Sequence, residues 1–259
     1  MMSFAIMFAK RVFPVLACWF CCSFLTGCKA YVTPGRGADL ATVGVPNSTR
    51  IHQTDTSIYT ALDKKPLAAL PTNIAVVRVQ APGYRDGFGE GRYSVITTRD
   101  VEKDEQVARI EKLPMIGAVA PVNRLLLNHR LESDEQLRHA AAQLHADMTF
   151  IYTFDTQFYL QDLIKPLTVI SLGLSPNKTA RVVTTASGVL MDTRNGYIYG
   201  LVEATEEHKT VTNMWSSEDA IAACQRQNES RVFEKLIGEY EKMWKGVVDQ
   251  FLARPPARP

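Results

Sequence analysis

A periodic row of apolar side chains near the C-terminus constrains the fold of this 259-residue chain more than any other feature. The apolar residues recur every three to four positions, which is the period of one face of an α-helix. They are Val232 and Phe233, Leu236 and Ile237, Tyr240, Met243 and Trp244, Val247 and Val248, and Phe251 and Leu252. A stripe of this length needs an apolar surface to cover it. We therefore expect a closing helix that starts near Ser216 or Ser217 and packs on a β-sheet.

Polar residues interrupt this pattern at its start. The stretch Gln225–Arg231 is polar throughout, and it predicts either an exposed part of the helix or a break between two helices. Beyond the helix, prolines among the last five residues predict a short disordered tail over 255–259.

The middle of the chain contains short segments with strand and helix patterns. Ile74–Val79 is nearly all apolar and rich in β-branched residues, which favours a strand covered on both faces. Tyr93–Thr98 and Ile116–Val119 predict two further strands, and Glu102–Lys112 predicts a weakly amphipathic helix between them. Ordered structure is expected from about Asn73.

A helix with a clear start is predicted over Asp134–His145. Ser133 stands at its N-cap position, and Gln136 completes a capping box three residues later. The apolar residues of this helix fall on one face and are Leu137, Ala140, Ala141 and Leu144.

The strand predicted after this helix, Met148–Asp155, carries an aromatic row. Because side chains alternate along a strand, Phe150, Tyr152 and Phe154 share one face. The other face carries Thr153, Asp155 and Gln157. We expect the aromatic row to lie in the core beneath a layer of helices.

Three more strands are predicted as a meander. They cover Leu167–Leu174, Ala180–Met191 and Tyr197–Ala204. The last two are joined by a tight turn over Asp192–Gly196, in which the glycine supplies a positive φ. Together the elements predict an α/β (α+β) domain over residues 71–254, with a single mixed β-sheet, helices packed on it and a long C-terminal helix.

An apolar run near the N-terminus predicts an export signal. Lys10 and Arg11 precede the apolar stretch Val12–Phe24, whose length suits a signal-peptide core and is short for a spanning helix of about 20 residues. The run ends in Leu-Thr-Gly-Cys at 25–28, which resembles the lipobox of bacterial lipoproteins. The resemblance implies a signal peptide over residues 1–27 and a diacylglyceryl group, usually with an added acyl chain, on Cys28.

Removal of residues 1–27 changes the charge and the cysteine content. The signal carries two basic residues and no acidic residue, so the formal net charge falls from +2 to 0. A neutral chain lacks the basic surface that nucleic-acid binding requires. Three cysteines leave with the signal and Cys28 is modified, which leaves Cys224 alone and excludes an intramolecular disulfide. Cys224 is a reactive thiol, an intermolecular link or, as we expect, a small buried side chain on a helix.

Residues 28–70 are predicted to be a flexible tether behind the lipid. The segment Lys29–Lys65 contains glycine and proline clusters and no steady apolar period, so it buries too little surface to fold and has a mean reach of roughly 35 Å. Lys29 stands where an aspartate would retain a lipoprotein in the inner membrane of enteric bacteria. The resemblance therefore implies anchoring in the outer membrane, facing the periplasm.

Two segments of the domain carry a second resemblance. Ala140-Ala141 followed by Ala146–Ile151, and later Asp192–Ile198, are similar to a pattern in the curli-secretion lipoproteins and in the lipoprotein activators of penicillin-binding proteins. In those families a helix runs into an Ala-Asp-hydrophobic strand, and a later strand turns through Asp-x-x-Thr-Gly, where this chain has Asn195 in place of the threonine. The resemblance implies a bacterial envelope lipoprotein with the same order of elements over residues 73–250.

The sequence contains no cluster that predicts catalysis or metal binding. Its five histidines lack the spacings of zinc sites. Gly87–Gly91 fails as a phosphate-binding loop because Arg92 occupies the place of the third glycine. Asp155, Asp162 and Asp192 could converge as paired carboxylates, although strand-end aspartates usually accept hydrogen bonds from turn amides. We predict no catalytic residue, no cofactor and no metal.

Functions from different classes stay open at this point. The first is a non-enzymatic binding or assembly module, held at the membrane by the lipid on Cys28, that binds an envelope protein or the cell wall. The second is a hydrolase acting on envelope material, which depends on the carboxylates just described. The third, a subunit of a ring-forming secretion-type assembly, needs a long alternating hairpin that Tyr93–Thr98 is too short to supply. We favour the binding module.

The lipid anchor is tested at Cys28. Cys28→Ser should abolish acyl labelling and leave uncleaved precursor in the inner membrane, because the lipid needs the cysteine thiol. The measurement is metabolic labelling with a fatty acid, followed by gel analysis of membrane fractions. Cys22→Ser, in the apolar run, is the matched control and should label normally. Normal labelling of Cys28→Ser would contradict the lipoprotein interpretation.

Overall fold

The computed structural model describes residues 37–38, 55–84, 86–162, 178–211 and 218–253. Within these ranges the chain forms a mixed six-stranded sheet with helices packed on it, which confirms the predicted α+β class. The strands are β1 (Thr72–Gln80), β2 (Glu90–Gly91), β3 (Ser94–Ile96), β4 (Ile116–Pro121), β5 (Arg130–Leu131), β6 (Met148–Asp162), β7 (Lys178–Asp192) and β8 (Ile198–Val211). The helices are α1 (Asp55–Asp63), α2 (Asp104–Glu111), α3 (Asp134–Gln143) and α4 (Glu218–Leu252), with a 3-10 turn at Arg124–Leu126.

Strand β1 has partners along both edges, which explains its apolar sequence. The sheet order is β3-β1-β6-β7-β8, and β4 pairs with the first half of β1 on the same edge as β3. On the other edge β1 runs parallel to β6, from Ile74 opposite Met148 to Val77 opposite Ile151. The strand predicted over Ile74–Val79 is therefore confirmed, and most of its side chains are buried.

Other predicted elements are confirmed with shifted ends. The strands predicted at Tyr93–Thr98 and Ile116–Val119 correspond to β3 and β4, and the helix predicted at Glu102–Lys112 corresponds to α2. The glycine-rich loop after β1 leads into β2, which pairs in parallel with β5. A Cβ on Gly91 would lie 2.4 Å from the carbonyl oxygen of Leu131, so this glycine allows the two strands to approach closely.

Strands β6, β7 and β8 form an antiparallel meander and are longer than predicted. β6 continues past Asp155, and β7 pairs with its whole length of 15 residues. The β7–β8 connection is the predicted tight turn, in which Gly196 has a φ of +69°. The strand predicted at Leu167–Leu174 lies outside the described residues.

The long helix α4 covers one face of the meander with its predicted apolar stripe. Ring centroids lie 4.7 Å apart between Phe150 and Tyr240, and 5.1 Å apart between Tyr152 and Phe233. Burying a side chain of this size contributes roughly 1.5–3 kcal/mol. The aromatic row is thus core beneath a helix, as expected. The buried members of the stripe are Val232, Phe233, Leu236, Ile237, Tyr240, Trp244, Val247 and Val248.

Helix α3 packs on the opposite face, over β1 and the first part of β6. The backbone N–H of Ser133 donates to Oε1 of Gln136 at 2.8 Å, which confirms the predicted capping box. Small residues on α3 let it lie close to the sheet. Its buried apolar residues are Leu137, Ala140 and Ala141.

Of the two alternatives predicted for the stretch Gln225–Arg231, the break between helices is wrong. The exposed part of a helix is confirmed only in part, since Arg226, Gln227 and Arg231 are exposed. Helix α4 runs through the stretch without a break, and Asn228 and Glu229 are 2% and 1% exposed. Polar residues can be buried when groups on a neighbouring element satisfy them. Those groups lie far away in the sequence, so the helical pattern could not reveal them.

The expectation that order begins near Asn73 is also wrong. The backbone N–H groups of Leu67 and Ala68 each donate to Oδ2 of Asp192 at 2.8 Å. Part of the predicted tether is folded further upstream, because α1 lies within it and Ala38 is buried. A segment without an apolar pattern can therefore dock through backbone hydrogen bonds.

Asp192 accepts further bonds at this point. Its Oδ2 accepts the hydroxyl of Tyr199 at 2.8 Å, and its Oδ1 accepts the N–H of Arg194 at 2.9 Å. The carboxylate is fully buried. It therefore joins the segment before β1 to the β7–β8 turn.

Asp192→Asn tests this junction. The amide would leave at least one buried donor without an acceptor, so we expect a loss of about 1–3 kcal/mol in the free energy of unfolding. The same change should speed cleavage by trypsin after Lys64, because the docked segment is released. Urea unfolding and timed proteolysis measure the two effects. Asp155→Asn is the matched control, and an equal effect of both substitutions would contradict the assignment.

Candidate functional site

The strongest concentration of buried charge surrounds Arg78 on β1. Its side chain is 3% exposed, and it points to the face that α4 covers. Its guanidinium lies 3.0 Å from a carboxylate oxygen of Glu229, 3.3 Å from Asp100 and 3.5 Å from Glu102. It also lies over the ring of Phe154, 4.7 Å from the centroid. We call this group the Arg78 cluster.

Glu229 reaches the cluster from the polar stretch of α4. Gln225, one helical turn earlier, donates to Glu229 Oε1 at 2.7 Å and to the hydroxyl of Tyr84 at 3.0 Å. The hydroxyl of Thr156 donates to the same Glu229 oxygen at 3.5 Å. Burial raises the pKa of Glu229 above its ordinary value, and this effect outweighs the nearby charge of Arg78.

Glu102 enters from the segment before α2. It accepts a hydrogen bond from the hydroxyl of Tyr152 at 2.8 Å, and burial raises the pKa of that phenol. Within the described part of the chain, Glu102 Oε2 and Arg78 Nε have no hydrogen-bond partner. Both residues line a cavity of about 40 Å³, which has room for a water molecule.

This geometry limits what the Arg78 cluster can do. The cavity is far smaller than the roughly 300–1,000 Å³ of a typical ligand site, and Glu229 is almost fully buried. The carboxylates of the cluster can bind a proton, and the ion pair of Glu229 with Arg78 attaches α4 to the sheet. In this conformation the cavity beside Arg78 is too small to admit a substrate.

The three aspartates that could have formed paired carboxylates do not converge. Asp155 lies opposite Thr185 in the middle of β6, whereas Asp192 lies opposite Met148, the first residue of β6. The two are seven positions apart in the ladder, or about 23 Å along the strand. Asp162 is a further seven positions along, at the end of β6.

The interpretation of these aspartates is confirmed in part. Asp192 accepts the turn N–H of Arg194 and two further backbone N–H groups at a strand end, as expected, and it is buried. Asp155 does not end a strand, because β6 continues beyond it, and its carboxylate accepts a bond from Gln157 at 3.2 Å.

The remaining sequence candidates show no assembled chemistry. Cys224 is only half-buried, and burial raises the pKa of its thiol, which disfavours the reactive thiolate. Among the described residues, no group of three or more histidines, cysteines, aspartates and glutamates is placed to hold a metal ion. Cys28, the signal peptide and the tail over 255–259 lie outside the described residues, so they stay predictions.

A second notable feature is a polar surface on the meander. Beyond Thr153, many side chains on the face opposite α4 are exposed. Cross-strand pairs order this surface: the Thr185 and Thr205 hydroxyls are 3.1 Å apart, and Arg181 donates to Glu207 at 2.7 Å. We call it the open face. Its exposed residues are Gln157, Tyr159, Arg181, Leu201, Glu203, Thr205, Glu207 and Lys209.

Sequence reasoning missed both features, although each left a signal. Arg78 is the one charged residue in an otherwise apolar strand, and Gln225–Arg231 is a polar stretch on an amphipathic helix. The charged residue in the strand and the polar stretch of the helix supply the two partners of one ion pair, Arg78 and Glu229. For the open face, the signal was the polar residue at every second position from Glu203 to Lys209.

Comparisons with known proteins give only distant likenesses. No family model matches the chain, and no curated protein matches it in sequence. It is similar to a Xanthomonas campestris protein of family DUF330, with 13% identity, a TM-score of 0.35, and coverage of 71% of this chain and 94% of that one. A Caulobacter crescentus protein described as a candidate lipoprotein has 10% identity, a TM-score of 0.24, and coverage of 48% and 84%. We draw no conclusion about family or function from scores this low. None of the described helices is both long and apolar enough to cross a bilayer.

The Arg78 cluster is tested by removing its cation. Arg78→Gln leaves several carboxylates without their shared partner, so we expect a loss of about 3–5 kcal/mol in the free energy of unfolding. Urea unfolding at pH 7 measures it. Arg109, whose exposed guanidinium pairs with Glu234 and Glu241, is the matched control, and Arg109→Gln should cost at most about 1 kcal/mol. Equal losses of unfolding free energy in the two variants would show that the buried cluster stabilises the fold no more than an exposed ion pair does.

Proposed function

We propose that this chain is a lipid-anchored lipoprotein of the cell envelope and acts as a non-enzymatic binding or assembly module. In this proposal the lipid on Cys28 holds the protein at the outer membrane, facing the periplasm. The folded domain binds an envelope protein or the cell wall.

The anchor rests on the sequence. A basic start, an apolar core of signal-peptide length and Leu-Thr-Gly-Cys at 25–28 agree in order and spacing. Two or three acyl chains on one cysteine give lasting attachment, whereas one chain gives only reversible binding.

The open face is the observation that carries the binding role. It is rigid, because β6, β7 and β8 are paired along almost their whole length. It presents alternating charges, hydroxyls and one aromatic ring, and its largest exposed apolar side chain is Leu201. A surface of this composition suits a polar partner, such as the rim of another envelope protein or the sugar and peptide groups of the wall.

The hydrolase alternative loses the observation on which it depended. It required Asp155 and Asp192 to face each other, and they lie at distant points of one ladder. The carboxylates of the Arg78 cluster lie beside a cavity of about 40 Å³, which is too small for a substrate. The geometry therefore supports binding better than turnover.

Site-specific crosslinking in the lipidated protein tests the binding role. A photoreactive residue at Thr205, on the open face, should give a discrete adduct with an envelope protein or with wall fragments in cells. The matched control is the same residue at Lys242, which is exposed on α4 on the other side of the sheet. Adducts at Lys242 as strong as those at Thr205, or no adduct at Thr205, would contradict the proposal.

A further inference from the structure

The two parts of α4 are attached to the sheet by different kinds of contact. The apolar core contributed by this helix begins at Val232. Within residues 221–231, the described side chains contribute none of the buried apolar residues. We call residues 218–231 the front segment.

The front segment is held by polar contacts. Asn228 donates to the hydroxyl of Thr184 at 2.8 Å, and Gln225 donates to Tyr84 at 3.0 Å. Among the described residues, its one contact between opposite buried charges is the one from Glu229 to Arg78 at 3.0 Å. Such contacts are sensitive to protonation in a way that apolar packing is not.

Among the described residues, the charges in the Arg78 cluster do not balance. Three carboxylates, those of Glu229, Glu102 and Asp100, surround one guanidinium. Arg99 lies nearby but pairs with Asp104 at 2.9 Å. Glu229 and Glu102 are buried, whereas Asp100 is half-exposed. When all the groups are ionised, the buried part of the cluster holds excess negative charge, which favours an added proton.

We propose that the front segment of α4 is a lid that proton uptake by the Arg78 cluster fastens and proton release loosens. Opening this lid would expose Thr184 and Thr156, which are buried on the sheet. The inference does not depend on the lipid anchor or on the open face.

The direction of the effect follows from the groups around Glu229. Arg78 on β1 favours its ionised form, whereas Asp100 and Glu102 before α2 oppose it, and burial opposes it most. The titratable groups next to it or to Arg78 are Tyr84 in the loop after β1 and Tyr152 on β6. The net result is a raised pKa for Glu229.

A carboxyl group with a raised pKa binds its proton more tightly in the folded state. The stability that it contributes is full below the unfolded pKa of about 4.3. That stability is lost as the pH rises through the folded pKa. The lid should therefore be tightest in mild acid and looser at neutral pH.

Hydrogen exchange of the whole mature protein at pH 5.5 and pH 7.5 tests the lid, after correction for intrinsic exchange rates. Protection of the front segment should fall several-fold at the higher pH, up to about tenfold for each unit by which the folded pKa exceeds the unfolded one. Protection of the rest of α4, from Val232 onward, should change much less. Equal protection of the front segment at both pH values in the unmodified protein overturns the proposal.

Two substitutions identify the group that titrates. Glu229→Gln should remove the pH dependence of protection in the front segment. Glu234→Gln makes the same change of charge on the same helix, at an exposed ion pair with Arg109, and should preserve it. Persistence of the pH dependence in Glu229→Gln overturns the assignment. If that variant does not fold, the comparison of the unmodified protein at the two pH values still decides.

Discussion

The structure depends on a match in length between one helix and the strands that it covers. The 35 residues of α4 span about 52 Å, and the 15 residues of β6 span about 50 Å. A helix that follows β8 in sequence can therefore run back along the whole meander and cover one face with a single element. On the opposite face the described residues place the shorter α3 and the segment at Ala38, and many side chains farther along the meander are exposed.

A repeating apolar stripe does not by itself fix how far a helix slides along a sheet. Tyr240 and Phe233 pack on neighbouring rings of the same strand, so a helix shifted along the sheet would still find apolar contacts for its stripe. A buried ion pair has one correct position only. Glu229 meets Arg78, and Asn228 meets Thr184, in a single register. We regard this selection of register as the structural reason for keeping charge in the core.

Local patterns predicted most of the fold, and long-range polar contacts account for what they missed. The stripe of α4, the capping box at Ser133 and the turn at Gly196 each lie within a few residues, so their signals are complete in the sequence. The Arg78 cluster joins residues 151 positions apart, and the docking of Ala68 joins residues 124 apart. Polar residues at such distances look like surface residues until the fold brings them together. The same reason explains why part of the tether was predicted to be free.

The docked N-terminal segment also determines how the domain would respond to mechanical load. Among the described residues, a pull applied upstream first loads Gly37, which bridges to Gln80, and then Ala38, whose N–H donates to the hydroxyl of Thr153 at 2.8 Å. The pull next loads the hydrogen bonds from the N–H groups of Leu67 and Ala68 to the carboxylate of Asp192. Only then does it reach β1, whose ladder to β6 is parallel and would be loaded in shear, with its hydrogen bonds strained together. In the described part of the chain, the attachments at 37–38 and at 67–68 thus lie in series ahead of the core. Both would break under tension before the sheet itself unfolds.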